Sequence, residues 1–187
     1  MRVPTRARKE AGMGLVELLI AMTVMAIGIS AIVAGFSSGI FAVKRAGDAS
    51  TAAAVADKQM EAYRALPNCA IYLDSATIPA SGTYVSDSAY SATQITSNTP
   101  LIGSAPCSAT PGATLTDAEQ PLTGADGKSY NVDTYIVASS AVSGSLAKKV
   151  TLVVRNSDNT KTFLRESSTF APPTGCNNPS GSVSSGC

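Results

Sequence analysis

The first 43 residues of the chain separate into a short basic segment and a long apolar segment. Residues 1–10 carry four basic side chains, whereas residues 13–43 are a run of 31 residues in which Glu17 is the only charged side chain. As a helix rising about 1.5 Å per residue, this run is about 46 Å long and exceeds a hydrocarbon core of about 30 Å. The pattern predicts a membrane-spanning helix, too long for the apolar region of a secretory signal peptide.

Residues 44–66 continue this helix with a soluble pattern. Small and apolar side chains recur there at three- and four-residue steps, namely Ala49, Ala52, Ala53, Ala56, Met60 and Tyr63. Such spacing places them on one helical face, and Pro67 predicts the end of the helix. We therefore predict one helix over residues 13–66, whose first half is transmembrane and whose second half is amphipathic and covers part of a head domain.

Residues 68–187 are predicted to form that head domain. Alternation over 130–136 and 149–155 predicts two β-strands, each with a wetter face, that is, one more exposed to solvent. In the first strand this face carries Asn131, Asp133 and Tyr135. In the second strand it carries Lys149, Thr151, Val153 and Arg155. A turn cluster at 156–159 and an extended pattern over 160–170 predict a hairpin spanning 148–170. Residues 68–127 are predicted to be an irregular connection with one short strand over 83–90. The predicted fold class is α+β: a long helix packed against a small antiparallel sheet of three or four strands.

Composition excludes several classes of function. The net charge of +1 does not supply the basic surface that nucleic-acid backbones attract, so we expect no nucleic-acid partner. The chain has no His, the commonest general base and metal ligand. We therefore expect no enzyme activity, no catalytic residues, no cofactor and no metal. Four basic residues precede the apolar run and two follow it, which favours a cytoplasmic N-terminus.

The four cysteines all follow the predicted membrane segment. They are Cys69, Cys107, Cys176 and Cys187. An even number of cysteines in an oxidising compartment predicts two disulfides, and three pairings are possible. We favour Cys69–Cys107 with Cys176–Cys187, because the second bond closes a short tail. Free structural thiols are the alternative, and the spacings do not fit a zinc site.

The segment from Lys9 to Met22 resembles the N-terminal signature of type IV prepilins and pseudopilins. It reads KEAG followed by MGLVELLIAM: a basic leader ends in Gly12, and Glu17 is the fifth residue after it. The resemblance implies that a prepilin peptidase cuts between Gly12 and Met13 and that Met13 becomes the N-methylated first residue. The chain departs from the usual pattern in having Met13 where Phe is common and Gly14 where Thr or Ser is common.

The family resemblance gives Glu17 a role in filament assembly. Cleavage would create an ammonium group at Met13, which a staggered neighbouring copy would bring to the carboxylate of Glu17. Breaking such a buried pair leaves one charge without a partner. The alternative is that Glu17 reaches the headgroup region of the cytoplasmic face. Ala31, Gly35 and Gly39 form a row of small residues that permits close helix approach.

The predicted function is a structural subunit of a type IV pilus or pilus-like filament. A minor pilin similar to the PilV type, or an I-type pseudopilin of type II secretion, fits the pattern best. The expected partners are prepilin peptidase, other pilin subunits, an inner-membrane assembly platform and, before assembly, membrane lipid. The expected location is the bacterial cell membrane and then a surface filament. The predicted segments are a leader (1–12), a filament-core helix (13–43), its continuation (44–66) and the head (68–187).

A calcium site at Asp126-Gly127-Lys128, as in some pseudopilins, is an alternative to a plain turn. A single-pass surface protein that does not polymerise is the alternative to the whole interpretation.

Overall fold

A computed structural model describes residues 14–96, 111–140 and 146–171 of the chain. The described helices are α1 (Leu15–Arg64), the single turns α2 (Thr83–Ser86) and α3 (Ala113–Thr116), and two 3-10 turns (Asn68–Ala70 and Ser75–Thr77). The strands are β1 (Glu119–Thr123), β2 (Ser129–Ser140), β3 (Leu146–Asn156) and β4 (Thr162–Phe170). Residues 1–46 and 47–187 are two compact units.

The C-terminal part of α1 belongs to the second unit and supplies one wall of its core. Ala52, Ala56, Met60 and Tyr63 are fully buried, which confirms these four residues of the predicted apolar stripe. Ala53 is half-buried, and the prediction is wrong for Ala49, which is exposed. The helix ends at Arg64, two residues before the predicted end, and the N–H of Leu66 donates to the carbonyl of Tyr63 at 3.1 Å. Pro67, which lacks an N–H, follows this last turn.

The four strands form one antiparallel sheet in the order β1-β2-β3-β4. This confirms the predicted α+β fold and the hairpin over 148–170. Strand β1 was not predicted, because its five residues include Pro121 and lie inside the segment assigned to an irregular connection. Proline is tolerated there because β1 is an edge strand.

The predicted strand over residues 83–90 is wrong. The structure has a single helical turn, α2, which follows Gly82 with a φ of 101°. The aromatic ring of Tyr84 stacks on Tyr135 with centroids 4.4 Å apart, and its hydroxyl donates to the carbonyl of Thr134 at 2.7 Å. These contacts with side-chain and backbone groups of β2 stand in place of the predicted strand.

The prediction of a wetter sheet face is also wrong for most of its residues. Asp133, Tyr135, Thr151, Val153 and Arg155 are all buried. The residues around α2 cover this face, as the stacking of Tyr84 on Tyr135 shows. Alternation of apolar and polar residues predicts one buried face of a strand. It does not reveal that a loop distant in sequence covers the other face. The sheet therefore has two covered faces over its central strands.

Lys148 is a fully buried lysine on β3. Its Nζ donates to the carbonyl of Ile71 at 2.7 Å and to that of Cys69 at 3.4 Å. Burial lowers the pKa of Lys148 to about 8. The amine thereby fixes the segment after α1 to the sheet, and its two acceptors are backbone carbonyls of that segment.

Gly124 lies where the turn between β1 and β2 approaches α1. A Cβ atom at this position would lie 2.6 Å from Cγ2 of Thr51, 2.7 Å from Cε2 of Tyr130 and 2.8 Å from Oδ1 of Asp126. We expect Gly124→Ala to lower the free energy of unfolding by about 1–3 kcal/mol, because these neighbours must move apart. Chemical denaturation of the full-length protein in detergent measures this change.

Gly47→Ala is the matched control for this substitution. A Cβ at Gly47 meets no atom within 4 Å, and the residue is inside α1. Replacing a helical glycine with alanine is expected to raise the free energy of unfolding by up to about 1 kcal/mol. Equal effects of the two substitutions would contradict the close approach at Gly124.

Candidate functional site

The first part of α1 is an apolar segment whose large side chains are exposed. Within the described part of the chain, every exposed large hydrophobic side chain lies between Leu15 and Val43. Their exposed fractions range from 49% for Leu18 to 79% for Leu15. Exposure of so many contiguous apolar side chains is typical of a surface that contacts lipid or another protein. This segment is the candidate functional site.

The hydroxyl groups of this segment are satisfied within the helix. Thr23, Ser30, Ser37 and Ser38 donate to backbone carbonyls three or four residues earlier, at 2.8 to 3.1 Å. Bonds of this kind leave no hydroxyl donor without an acceptor when water is absent. The hydroxyl-bearing residues of the segment are thus compatible with an apolar environment.

The segment is long and apolar enough to cross a membrane. Its most apolar 18-residue window has a mean hydropathy of 2.4, and none of that window is buried. This result agrees with the membrane-spanning helix expected from the sequence. It supports anchoring in a membrane.

Glu17 lies in the first turn of α1. Its backbone N–H donates to the carbonyl of Gly14 at 2.9 Å. No ion pair with Glu17 is found among residues 14–96, 111–140 and 146–171. The residue lies at the N-terminal, positive end of the helix dipole, whose attraction for a negative charge is weak compared with that of a direct counter-ion. Gly12 and Met13 lie outside the described residues, so the predicted pairing stays a prediction.

A shallow groove follows the row of small residues on α1. Ile32, Phe36, Ile40 and Val43 border it around Gly35 and Gly39. A Cβ at either glycine would meet no atom within 4 Å. The packing of the described residues does not require glycine at either position.

The structure describes one of the four cysteines, Cys69. Cys69 is buried and disulfide-bonded. Cys107, Cys176 and Cys187 lie outside the described residues. The pairing of Cys69 with Cys107, and of Cys176 with Cys187, therefore stays a prediction.

Asp126-Gly127-Lys128 forms the turn between β1 and β2. Gly127 has a φ of 74°, which suits glycine, and the N–H of Gly124 donates to the carbonyl of Lys128 at 2.9 Å. The Lys128 ammonium pairs with Asp48 on α1 and with Asp126 at 3.2 Å, and these bonds raise the pKa of Lys128 to about 12. The lysine thus pairs with both carboxylates and links the turn to the helix. The residues that the structure describes contain no group of three or more metal-ligating side chains.

A buried cluster of charges lies on the sheet face near α2, and sequence analysis missed it. Arg155 donates from Nε to Oδ2 of Asp133 at 2.8 Å and also pairs with Asp87. Arg165 binds both oxygens of Asp87, at 2.7 and 2.9 Å. Burial opposes ionisation of Asp87, but these bonds and the N–H of Ala89 outweigh it and lower its pKa. The cluster joins the loop after α2 to three strands and is a structural feature.

Comparison with protein families gives one match. Residues 7–33 match the prokaryotic N-terminal methylation motif. The match contains Gly12, Met13 and Glu17 and most of the exposed apolar segment. It supports the expected resemblance to a type IV pilin-like prepilin, a structural and not an enzymatic class. The curated proteins and the solved structures give no match to this chain.

Proposed function

We propose that this pilin-like chain is a structural subunit of a type IV pilus or pilus-like filament. One observation carries the proposal: the segment with the methylation motif is also the segment whose apolar side chains are exposed. An apolar surface of this length needs a cover, and membrane lipid followed by neighbouring pilin subunits would provide it. The protein then acts by assembly and needs no catalytic residues.

The proposal includes cleavage of the leader and methylation of the new N-terminus. A prepilin peptidase removes residues 1–12 and methylates the new N-terminus at Met13. The basic residues of the leader hold the N-terminus in the cytoplasm. The head then lies on the opposite side of the bacterial membrane, where oxidising conditions suit the disulfide at Cys69. An inner-membrane assembly platform would transfer the mature subunit into a surface filament.

A minor pilin similar to the PilV type is the subtype that we propose. The support is the pattern of the apolar segment and the late β-hairpin, which the structure gives as β3 and β4. An I-type pseudopilin of type II secretion is the alternative, because the methylation motif is common to pilins and pseudopilins. A single-pass surface protein would use the same helix as an anchor and would keep its leader.

Gly12→Val tests the processing step. The peptidase needs a small, flexible residue before the cut, so we expect the variant to remain as an uncut precursor in the membrane. Mass spectrometry of the N-terminal peptide distinguishes a protein that starts at methylated Met13 from one that retains its leader. Sheared surface filaments should contain no Gly12→Val subunit.

Gly12→Ala is the control, since it adds one methyl group and leaves a small residue at the cut. We expect this variant to be processed more completely than Gly12→Val. Normal cleavage and methylation of Gly12→Val would remove the main argument for the proposed function.

A further inference from the structure

Two carboxylates lie opposite each other on neighbouring strands of the head. Glu119 is the first residue of β1, and its partner in β2 is Asp133. The N–H of Thr134 donates to the carbonyl of Ala118 at 2.8 Å, so the ladder bonds fall on either side of the Glu119–Asp133 pair. Such a non-hydrogen-bonded pair brings its side chains close together, with Cα atoms about 4.5 Å apart. Like charges at this position destabilise a sheet.

Neither carboxylate has a hydrogen-bond or ion-pair partner for each of its two oxygens among the described residues. Asp133 is completely buried and its Oδ2 accepts from Arg155, but its Oδ1 has no hydrogen-bond partner among the described residues. Glu119 is half-buried, and we find no ion pair with it in the described part of the chain. A buried oxygen without a donor is costly, and a single donor between the two groups would satisfy both.

The charges around the pair do not balance. The carboxylates of Asp87 and Asp133 form ion pairs with the guanidinium groups of Arg155 and Arg165. The carboxylate of Glu119 lies close enough to interact with the charges of Asp133 and Arg155 without a direct bond to either. Arg165 is occupied by both oxygens of Asp87. Arg155 is shared between Asp87 and Asp133. One positive charge is therefore missing.

The neighbouring tyrosines do not supply the missing donor. The hydroxyl of Tyr84 donates to the carbonyl of Thr134, and the hydroxyl of Tyr135 donates to the carbonyl of Tyr84 at 3.0 Å. Burial raises the pKa of both hydroxyl groups, so they stay neutral. A small positive species would supply the missing charge, and a proton fits best because calcium takes six to eight oxygen ligands.

We propose that Glu119 and Asp133 together bind one proton, and that this proton fastens the edge strand β1 to β2. The carboxyl group of Glu119, when protonated, donates to Oδ1 of Asp133 and completes the charge balance of the network. Burial and the charge of Asp133 raise the pKa of Glu119, which supports this assignment. Burial also raises the pKa of Asp133 against the opposing effect of Arg155.

The proton would also influence contacts beyond the two strands. Gln120, the next residue of β1, accepts from Nε2 of Gln59 on α1 at 3.3 Å. A loosened β1 would weaken this contact within the head. The attachment of β1 to its neighbours would thereby depend on pH.

The direction of the pH dependence follows from proton binding. When the pKa of a carboxyl group is raised on folding, the folded state holds more protons than the unfolded state above the ordinary carboxyl pKa. The stabilisation is complete in acid and is lost as the pH rises through the folded pKa. The contribution of this pair should therefore fall from about pH 4.5 to about pH 8.

The test compares Glu119→Gln with the unchanged protein, both full-length and in detergent. Glutamine keeps the shape, stays neutral and can donate to Asp133 at any pH. We expect similar unfolding equilibrium constants at about pH 4.5. At about pH 8 the unchanged protein should unfold more readily than Glu119→Gln, by up to about fivefold. Denaturant titration followed by tyrosine fluorescence measures both values.

Glu166→Gln is the control for this experiment. Glu166 lies on the other edge strand, β4, opposite the apolar Leu152. This variant should show no comparable change with pH. If the ratio of the unfolding equilibrium constants of Glu119→Gln and the unchanged protein stays constant from about pH 4.5 to about pH 8, the proposal is overturned. Restoration by added Ca²⁺ at the higher pH would also overturn it, because the pair would then bind a metal ion.

Discussion

Arg155→Met is expected to lower the free energy of unfolding of the head by about 3–5 kcal/mol. Arg155 is the ion-pair partner of the fully buried Asp133 and shares Asp87 with Arg165. The methionine fills much of the same space, but it leaves the charge of Asp133 buried without a counter-ion. Chemical denaturation of the full-length protein in detergent at neutral pH gives the size of the loss.

Two comparisons make this prediction specific. Arg64→Met removes the exposed pair of Arg64 with Glu61 and should cost less than about 1 kcal/mol. The deficit of Arg155→Met should also shrink at about pH 4.5, because a protonated Asp133 no longer needs a counter-ion. Similar losses for both arginine variants, or a deficit that does not change with pH, would contradict the role assigned to the buried cluster.

Glu17→Ala is expected to reduce incorporation into filaments by about a hundredfold or more. In the proposed filament, the change leaves the ammonium group of a neighbouring Met13 buried without a partner, at a cost of about 3–5 kcal/mol. Each 1.4 kcal/mol corresponds to a factor of ten. Cleavage and membrane insertion should persist, because the helix becomes more apolar. The ratio of subunit in sheared filaments to subunit in membranes, at matched expression, measures the effect.

Thr23→Ala is the matched control for Glu17→Ala. It removes a polar atom from the same helix, where the hydroxyl of Thr23 bonds only to the carbonyl of Ile20 at 2.8 Å. We expect its filament-to-membrane ratio to equal that of the unchanged protein. An unchanged ratio for Glu17→Ala would favour the single-pass anchor, in which Glu17 has no counter-ion to lose.

Features encoded by neighbouring residues were predictable from the sequence. The long apolar run gave α1, and the buried stripe from Ala52 to Tyr63 followed from helical spacing. Alternating residues gave β2 and β3, and a turn cluster gave the hairpin to β4. Each of these signals is local, since a period of 2.0 or 3.6 residues is written in the order of the side chains.

Features that depend on distant residues were not predictable. Tyr84 enters a helical turn because its ring stacks on Tyr135, 51 residues later, and the two hydroxyl bonds are fixed by that contact. The partners of Asp133 and Arg155 are likewise set by strand register and by the loop that carries Asp87. The candidate site behaves differently, because Gly12, Met13 and Glu17 form a linear motif. Its residues could be predicted from the sequence, and their roles stay predictions, whereas the exposure of the apolar side chains required the structure.

The N-terminal peptide of the subunit in sheared surface filaments tests the central claim most directly. Mass spectrometry of that fraction reports both whether the subunit polymerises and where it begins. The proposed function predicts that the subunit is present and starts at methylated Met13. A subunit that is confined to the membrane fraction and retains residues 1–12 would contradict it.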